Sequence, residues 1–121
     1  MAAKIMVIDD DDLVLLAIQE LLTPLGFAVE THPNGPEALE RLAKNHFDLI
    51  ILDVIMPEMD GFEVCRRVRE IPAYAETPIL MLTARSSDED RKKGMEVGAN
   101  LYLPKPISPT RLIAMVKEAL K

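Results

Sequence analysis

Five side chains in this sequence could do chemistry together. Asp9 and Asp10 end the apolar run at residues 5–8 in "KIMVIDDDDL". Asp53 follows the run 49–52, Thr83 follows 79–82, and Lys105 follows shortly after 101–103. Carboxylates gathered at one point suit a hard divalent cation. Oxygen ligation by carboxylates, a carbonyl and water is the chemistry of Mg²⁺ or Mn²⁺ rather than zinc. A cation beside a lysine ammonium and a threonine hydroxyl is equipment for a phosphoryl group, whose oxygens those groups would neutralise and hydrogen-bond. No Ser/His or Cys/His pair offers a nucleophile at these positions. Asp53 is the candidate, since a carboxylate can attack phosphorus and form an aspartyl phosphate.

These residues are far apart in the chain, so a fold must bring them together. The runs 5–8, 49–52 and 79–82 are almost wholly apolar and rich in Ile, Val and Leu. Strands buried on both faces read that way, and such strands belong to parallel sheets covered by helices. Weaker strands are expected at 27–31 and 101–103. Five helices fit between and after them. The first carries Val14, Ala17, Ile18, Leu21, Leu22 and Leu25 at helical spacing and stops at Gly26. The second opens with Pro36 in its first turn and carries Ala38, Leu39, Leu42 and Ala43. The third follows Asp60-Gly61 and carries Phe62, Val64, Cys65, Val68 and Ile71. The fourth has a capping-box pattern, Ser86-x-x-Glu89, and ends at Gly98. The fifth starts near Ser108-Pro109 and uses Leu112, Ile113, Val116 and Leu120.

Five β-α units with right-handed crossovers predict a doubly wound (βα)5, flavodoxin-like α/β fold. Its five-stranded parallel sheet would run in order 2-1-3-4-5, with helices on both faces. Ligands in such folds bind beyond the carboxyl ends of the strands, at the switch point between strands 1 and 3. That edge is where Asp9, Asp10, Asp53, Thr83 and Lys105 would converge. Two unit charges 5 Å apart repel by about 3 kcal/mol at an effective dielectric of ~20. Three carboxylates make three pairs, roughly 10 kcal/mol before relaxation, against a typical domain stability of about 5–15 kcal/mol. Lys105 and solvent would relieve part of this repulsion, and a divalent cation most of it.

The bulk properties narrow the class. The chain has 121 residues, one domain's worth, and 49% are apolar, enough for a core. A net charge of −6 disfavours direct contact with nucleic acid or an anionic membrane. The single cysteine, Cys65, excludes an internal disulfide. No secretory h-region or membrane-length apolar stretch is present, so the expectation is a soluble cytoplasmic domain.

Four stretches, "VIDDDD", "LIILDVIMPEMDGFEV", "PILMLTA" and "GANLYLPKPIS", occur in order, each at the end of an expected strand. Together they resemble the receiver domain of two-component response regulators, of the chemotaxis-regulator kind, over nearly the whole chain. The resemblance implies a single receiver domain over residues 1–121. It implies that Asp53 takes a phosphoryl group from a phosphohistidine on a sensor histidine kinase or histidine phosphotransfer protein. Asp10 and Asp53 would ligate Mg²⁺ with the backbone carbonyl of Ile55, and Asp9 would act mainly through metal-bound water. Thr83 and Lys105 would contact the phosphoryl oxygens. Tyr102 matches the family's aromatic switch residue, which moves inward as Thr83 swings toward the phosphoryl. The Lys105–Pro106 bond matches one that is cis in the family. The helix 4–strand 5–helix 5 surface would then act on an output domain or partner protein. Such a protein catalyses its own phosphorylation and dephosphorylation but converts no free metabolite, so it is no enzyme in the ordinary sense.

Other residues have plainer expected roles. Asp11 and Asp12 suit the first turn of helix 1, where the dipole favours anions. His32 and His46 are expected at the surface, and Cys65 in helix packing. Leu13, Leu15 and Leu16 lie outside the main stripe of helix 1 and could form a docking face. The resemblance implies that Ile55 and Arg85, each two residues beyond Asp53 and Thr83, flank the path of hydrolytic water. An aspartate-nucleophile phosphatase of the haloacid-dehalogenase kind is the nearest rival. It needs an acid two residues after the nucleophile, where this chain has Ile55. A flavodoxin-like electron carrier is disfavoured, because four aspartates would repel an FMN phosphate. A pseudo-receiver would lack a site residue, and none is missing. A phosphorylation-dependent homodimer stays open, although Asn100 stands where one transcription-factor branch commonly has Asp. A stand-alone regulator and a receiver segment of a longer regulator or hybrid kinase are equally open.

Overall fold

The computed structural model describes residues 2–121. Five strands, β1 (Lys4–Ile8), β2 (Ala28–His32), β3 (Leu49–Leu52), β4 (Ile79–Thr83) and β5 (Leu101–Pro104), form one sheet. They alternate with five helices, α1 (Asp12–Leu22), α2 (Gly35–Lys44), α3 (Gly61–Arg69), α4 (Asp88–Glu96) and α5 (Pro109–Ala119). All pairings are parallel and the order is β2-β1-β3-β4-β5, the arrangement read from the sequence.

The central strands are apolar throughout because each face packs under helices. Ile5, Val7, Leu49, Ile51, Leu80 and Leu82 face Leu15, Ile18 and Leu22 of α1 and Leu112 and Val116 of α5. Their alternates Met6, Ile8, Ile50, Leu52, Ile79 and Met81 face Ala38 and Leu42 of α2 and Val64, Cys65 and Val68 of α3. A one-residue slip of any central strand would exchange these two sets, so the register is tightly specified. Each helix begins at a polar cap. Asp11, Asn34, Asp60, Ser87 and Ser108 accept a backbone N–H of the first turn with their side chains.

Four expectations are corrected. Leu15 is buried, because the stripe of α1 that meets the sheet runs through Leu15, Ile18 and Leu22. Leu25 and Ala17 lie exposed, as does Ala43 of α2. Leu25 closes a short 3-10 turn, Thr23–Leu25, that follows α1 and turns its side chain outward before Gly26. The fourth helix caps one residue later than the Ser86-x-x-Glu89 pattern. Ser87 has the extended backbone of a cap, its hydroxyl accepts the Asp90 N–H, and Asp90 accepts the hydroxyl in return. His32 is not a surface residue. It ends β2 with its ring buried between Glu30 (Nε2 to Oε2, 2.7 Å) and Glu37 (Nδ1 to Oε1, 3.0 Å). His46 is exposed, as expected, and stacks on Tyr74. Leu13 and Leu16 are exposed.

Candidate functional site

The carboxyl ends of β1, β3, β4 and β5 form one edge, and the sheet's hydrogen-bond ladder continues into the loops there. The Asp9 N–H donates to the His32 carbonyl (3.2 Å), the Asp53 N–H to the Ile8 carbonyl (2.9 Å), and the Lys105 N–H to the Thr83 carbonyl (2.9 Å). Three of the expected site residues therefore leave the sheet with their backbones already fixed.

Carboxylate oxygens of Asp9, Asp10 and Asp53 all lie within 4.8 Å of one another. Asp9 and Asp53 are buried, whereas Asp10 is exposed. The Lys105 ammonium sits between the two buried acids, 2.6 Å from Asp9 Oδ2 and 2.9 Å from Asp53 Oδ2. The other oxygen of each acid is held by backbone. Asp9 Oδ1 accepts the Asp11 N–H at 2.9 Å, and Asp53 Oδ1 accepts the Ile55 N–H at 3.2 Å. Thr83 is fully buried beneath this group, and its Oγ1 accepts the Arg85 N–H at 3.2 Å. The Lys105–Pro106 peptide bond is cis.

The electrostatics separate the two buried acids. Burial pushes the Asp53 carboxyl up, but the hydrogen bond from Lys105, the Thr83 hydroxyl and the Ile55 N–H outweigh it and hold Asp53 below its ordinary value. Asp9 goes the other way. Its burial exceeds what Lys105 and the Asp11 N–H recover, and the charge of Asp53 adds to the rise. Lys105 would be lowered by burial, yet its two carboxylate partners raise it, so the ammonium stays charged. Of the two buried acids, Asp53 is thus the one whose surroundings favour the carboxylate form.

A divalent cation fits this donor set. Three hard carboxylates converge, no histidine or thiol is among them, and Asp10 is exposed with its ligand oxygen in reach of the others. The site has no acid two residues after Asp53; Ile55 there is half-exposed. Asp11 and Asp12 stand apart from the cluster as the cap and first residue of α1.

Tyr102 points inward. Its side chain is buried, and its hydroxyl donates to the carbonyl of Arg85 in the loop after Thr83. Arg91 covers its ring and donates to its carbonyl at 3.1 Å. Arg85 therefore connects two of the expected residues through its backbone alone, with its N–H on Thr83 and its carbonyl on Tyr102. Its side chain is tied to Asp90 at 2.7 Å and lies over the Phe62 ring. Sequence reading missed this role, since a carbonyl carries no side-chain signature. It also missed Gly61, the first residue of α3. A Cβ there would lie 2.2 Å from the Asp53 carbonyl oxygen and 2.7 Å from Val54 Cα. Only glycine lets α3 approach the backbone that carries Asp53. The Asp-Gly pair is visible in the sequence, but there it signals only a helix boundary.

The family model described as the response regulator receiver domain matches residues 5–117. Response regulator MprA of Mycobacterium sp. (strain KMS) is 41% identical over 121 residues, all of this chain and 52% of that protein. A probable transcriptional regulator, ycf29, of Porphyra purpurea is 39% identical over 120 residues, 99% of this chain and 57% of that protein. The chain thus spans about half the length of these curated relatives. Among solved structures, the chemotaxis response regulator CheY4 of Vibrio cholerae superposes with a TM-score of 0.94 at 40% identity, covering 99% of this chain and 100% of that one. A BeF3-activated DrrB receiver domain superposes with a TM-score of 0.90 at 39% identity, covering 99% and 98%. With the family match spanning almost the whole chain, and the same fold in these relatives, this protein belongs to the receiver domains of two-component response regulators.

Proposed function

We propose that residues 1–121 form one receiver domain in which Asp53 is the phosphoacceptor, loaded from a phosphohistidine of a sensor histidine kinase or histidine phosphotransfer protein. An oxygen of the ionised Asp53 carboxylate attacks phosphorus. The P–N bond to the donor imidazole breaks, and its electron pair returns to the ring nitrogen, which takes up a proton. Lys105 turns from Asp53 to the arriving phosphoryl oxygens, and Thr83 donates its hydroxyl to them. Mg²⁺, or Mn²⁺, held by Asp10, Asp53 and the Ile55 carbonyl, with Asp9 acting through water, would supply charge neutralisation to the phosphoryl oxygens. Support for the direct role of Asp10 comes from its exposure beside the two buried acids.

The observation that carries the reading is the Lys105 ammonium bridging Asp9 and Asp53 at the carboxyl edge of a receiver fold, beside a third acid. Tyr102 and Thr83 act as the switch pair. Their link through Arg85 passes a change at the phosphoryl site to the α4–β5–α5 face, which addresses an output domain or a partner protein and allows a phosphorylation-dependent homodimer. Phosphorylation and its reversal are catalysed by the domain itself, in the cytoplasm, with no direct contact to nucleic acid or membrane; among the described residues no helix is long and apolar enough to cross one.

Incubation with acetyl phosphate and Mg²⁺, followed by intact mass measurement, tests this. One phosphoryl group should be added to the wild type and none to Asp53→Asn. Equal labelling of both would refute the assignment.

A further inference from the structure

Gly94 is the one buried residue of α4. Its backbone gives no reason for a glycine, since the positive-φ residues are Gly26, Glu58 and Gly98. A glycine inside a helix is less favourable than alanine. Its neighbours give the reason. A Cβ at position 94 would lie 2.6 Å from Cδ2 and 2.9 Å from Cε2 of Tyr102, and 3.1 Å from the sulfur of Met81. These ring atoms cannot retreat easily. The Tyr102 hydroxyl is held by the Arg85 carbonyl, Arg91 covers the ring, and Met81 is the fully buried ladder partner of Tyr102.

We infer that Gly94 is a positioning residue for Tyr102: the missing side chain at position 94 is the space the inward ring occupies, so the size of residue 94 sets the balance between inward and outward Tyr102. This rests on the reading of Tyr102 as a switch. Helix α4 docks on the sheet through this glycine–tyrosine contact, so a ring that leaves also loosens α4. A ligand that favours the inward ring must bind more weakly when residue 94 disfavours it, because the coupling is reciprocal.

The test uses Gly94→Ala, read first without any phosphoryl mimic. Aromatic NMR signals of Tyr102, assigned by Tyr102→Phe against Tyr74, should move to a solvent-exposed environment. Urea unfolding should show Gly94→Ala destabilising the wild type but neutral or stabilising in a Tyr102→Ala background, which also shows that alanine is tolerated by α4. Beryllofluoride with Mg²⁺ should bind Gly94→Ala about tenfold more weakly than wild type, the scale of one overpacked methyl group. Unmoved Tyr102 signals, or an equal stability effect in both backgrounds, would overturn the role of Gly94 while leaving the switch reading intact. If the packing effects appear but the wild-type Tyr102 signals ignore beryllofluoride and its affinity is unchanged by Gly94→Ala, the switch reading fails, and with it the claim that residue 94 tunes a signal.

Discussion

The ammonium of Lys105 lies 2.9 Å from Oδ2 of Asp53, 52 residues earlier in the chain. The contact joins the loops after β3 and β5, and its second partner, Asp9 Oδ2 at 2.6 Å, brings in β1. Lys105 is thus a cation for two buried acids before it is a ligand for anything else. Lys105→Met should leave both carboxylates without it. Breaking a buried pair by removing one partner costs roughly 3 kcal/mol. Urea unfolding in EDTA should show a loss of that order. Mg²⁺ should then return more stability to Lys105→Met than to the wild type. A loss well under 1 kcal/mol would mean that solvent, not Lys105, neutralises these acids.

Asp10 is the exposed member of the cluster, and among the described residues its side chain makes no hydrogen bond that its removal would break. Asp10→Asn should therefore stabilise the metal-free protein by about 1 kcal/mol, through relief of repulsion between carboxylates at partly solvated distances. The same change should abolish the rise in melting temperature that Mg²⁺ gives the wild type. At 100 times its Kd, a ligand specific for the folded state adds about 2.7 kcal/mol. A wild-type melting temperature unmoved by millimolar Mg²⁺ would count against the metal assignment.

Gly61 sets how closely α3 can approach the Asp53 backbone. A Cβ would meet the Asp53 carbonyl oxygen at 2.2 Å, and backbone cannot rotate away as a side chain can. Gly61→Ala should lower stability by about 3 kcal/mol, as for overpacking against a fixed wall, and should slow acetyl phosphate labelling by displacing Asp53. Normal stability in thermal and urea melts would show that the loop yields.

Burial pushes the Cys65 thiol up to about 11 from 9.0, with only partial relief from Arg69. The folded protein therefore holds this proton where the unfolded chain loses it. The resulting stability is fully present below pH 9 and is lost as pH rises toward 11. Between pH 8 and 10.5 the wild type should lose about 2 kcal/mol more than Cys65→Ala. Parallel pH profiles for the two proteins would show that the thiol is not protected.

The fold was legible because central strands covered on both faces must be continuously apolar, and 5–8, 49–52 and 79–82 are. Topology then brought Asp9, Asp10, Asp53, Thr83 and Lys105 to one edge without knowledge of any contact. What escaped depended on phase and on backbone. The face of Leu15 is not legible because α1 has apolar residues on most of its circumference, leaving its rotation underdetermined. The cap of α4 slipped by one because Ser86-x-x-Glu89 and Ser87-x-x-Asp90 are both valid patterns. His32 looked like a surface residue because its acidic partners, Glu30 on its own strand and Glu37 on α2, meet it only once α2 folds back beside β2. The Arg85 carbonyl and the space at Gly61 belong to the main chain, which side-chain chemistry does not announce.

The residue that carries the phosphoryl group can be trapped chemically. After labelling with acetyl phosphate and Mg²⁺, reduction by borohydride converts an aspartyl phosphate to homoserine, which peptide mass mapping can locate. Homoserine is expected at position 53 in the wild type, with much less of it in Lys105→Met. Homoserine at position 9 or 10, or none anywhere despite a gain of phosphoryl mass, would contradict the assignment of Asp53.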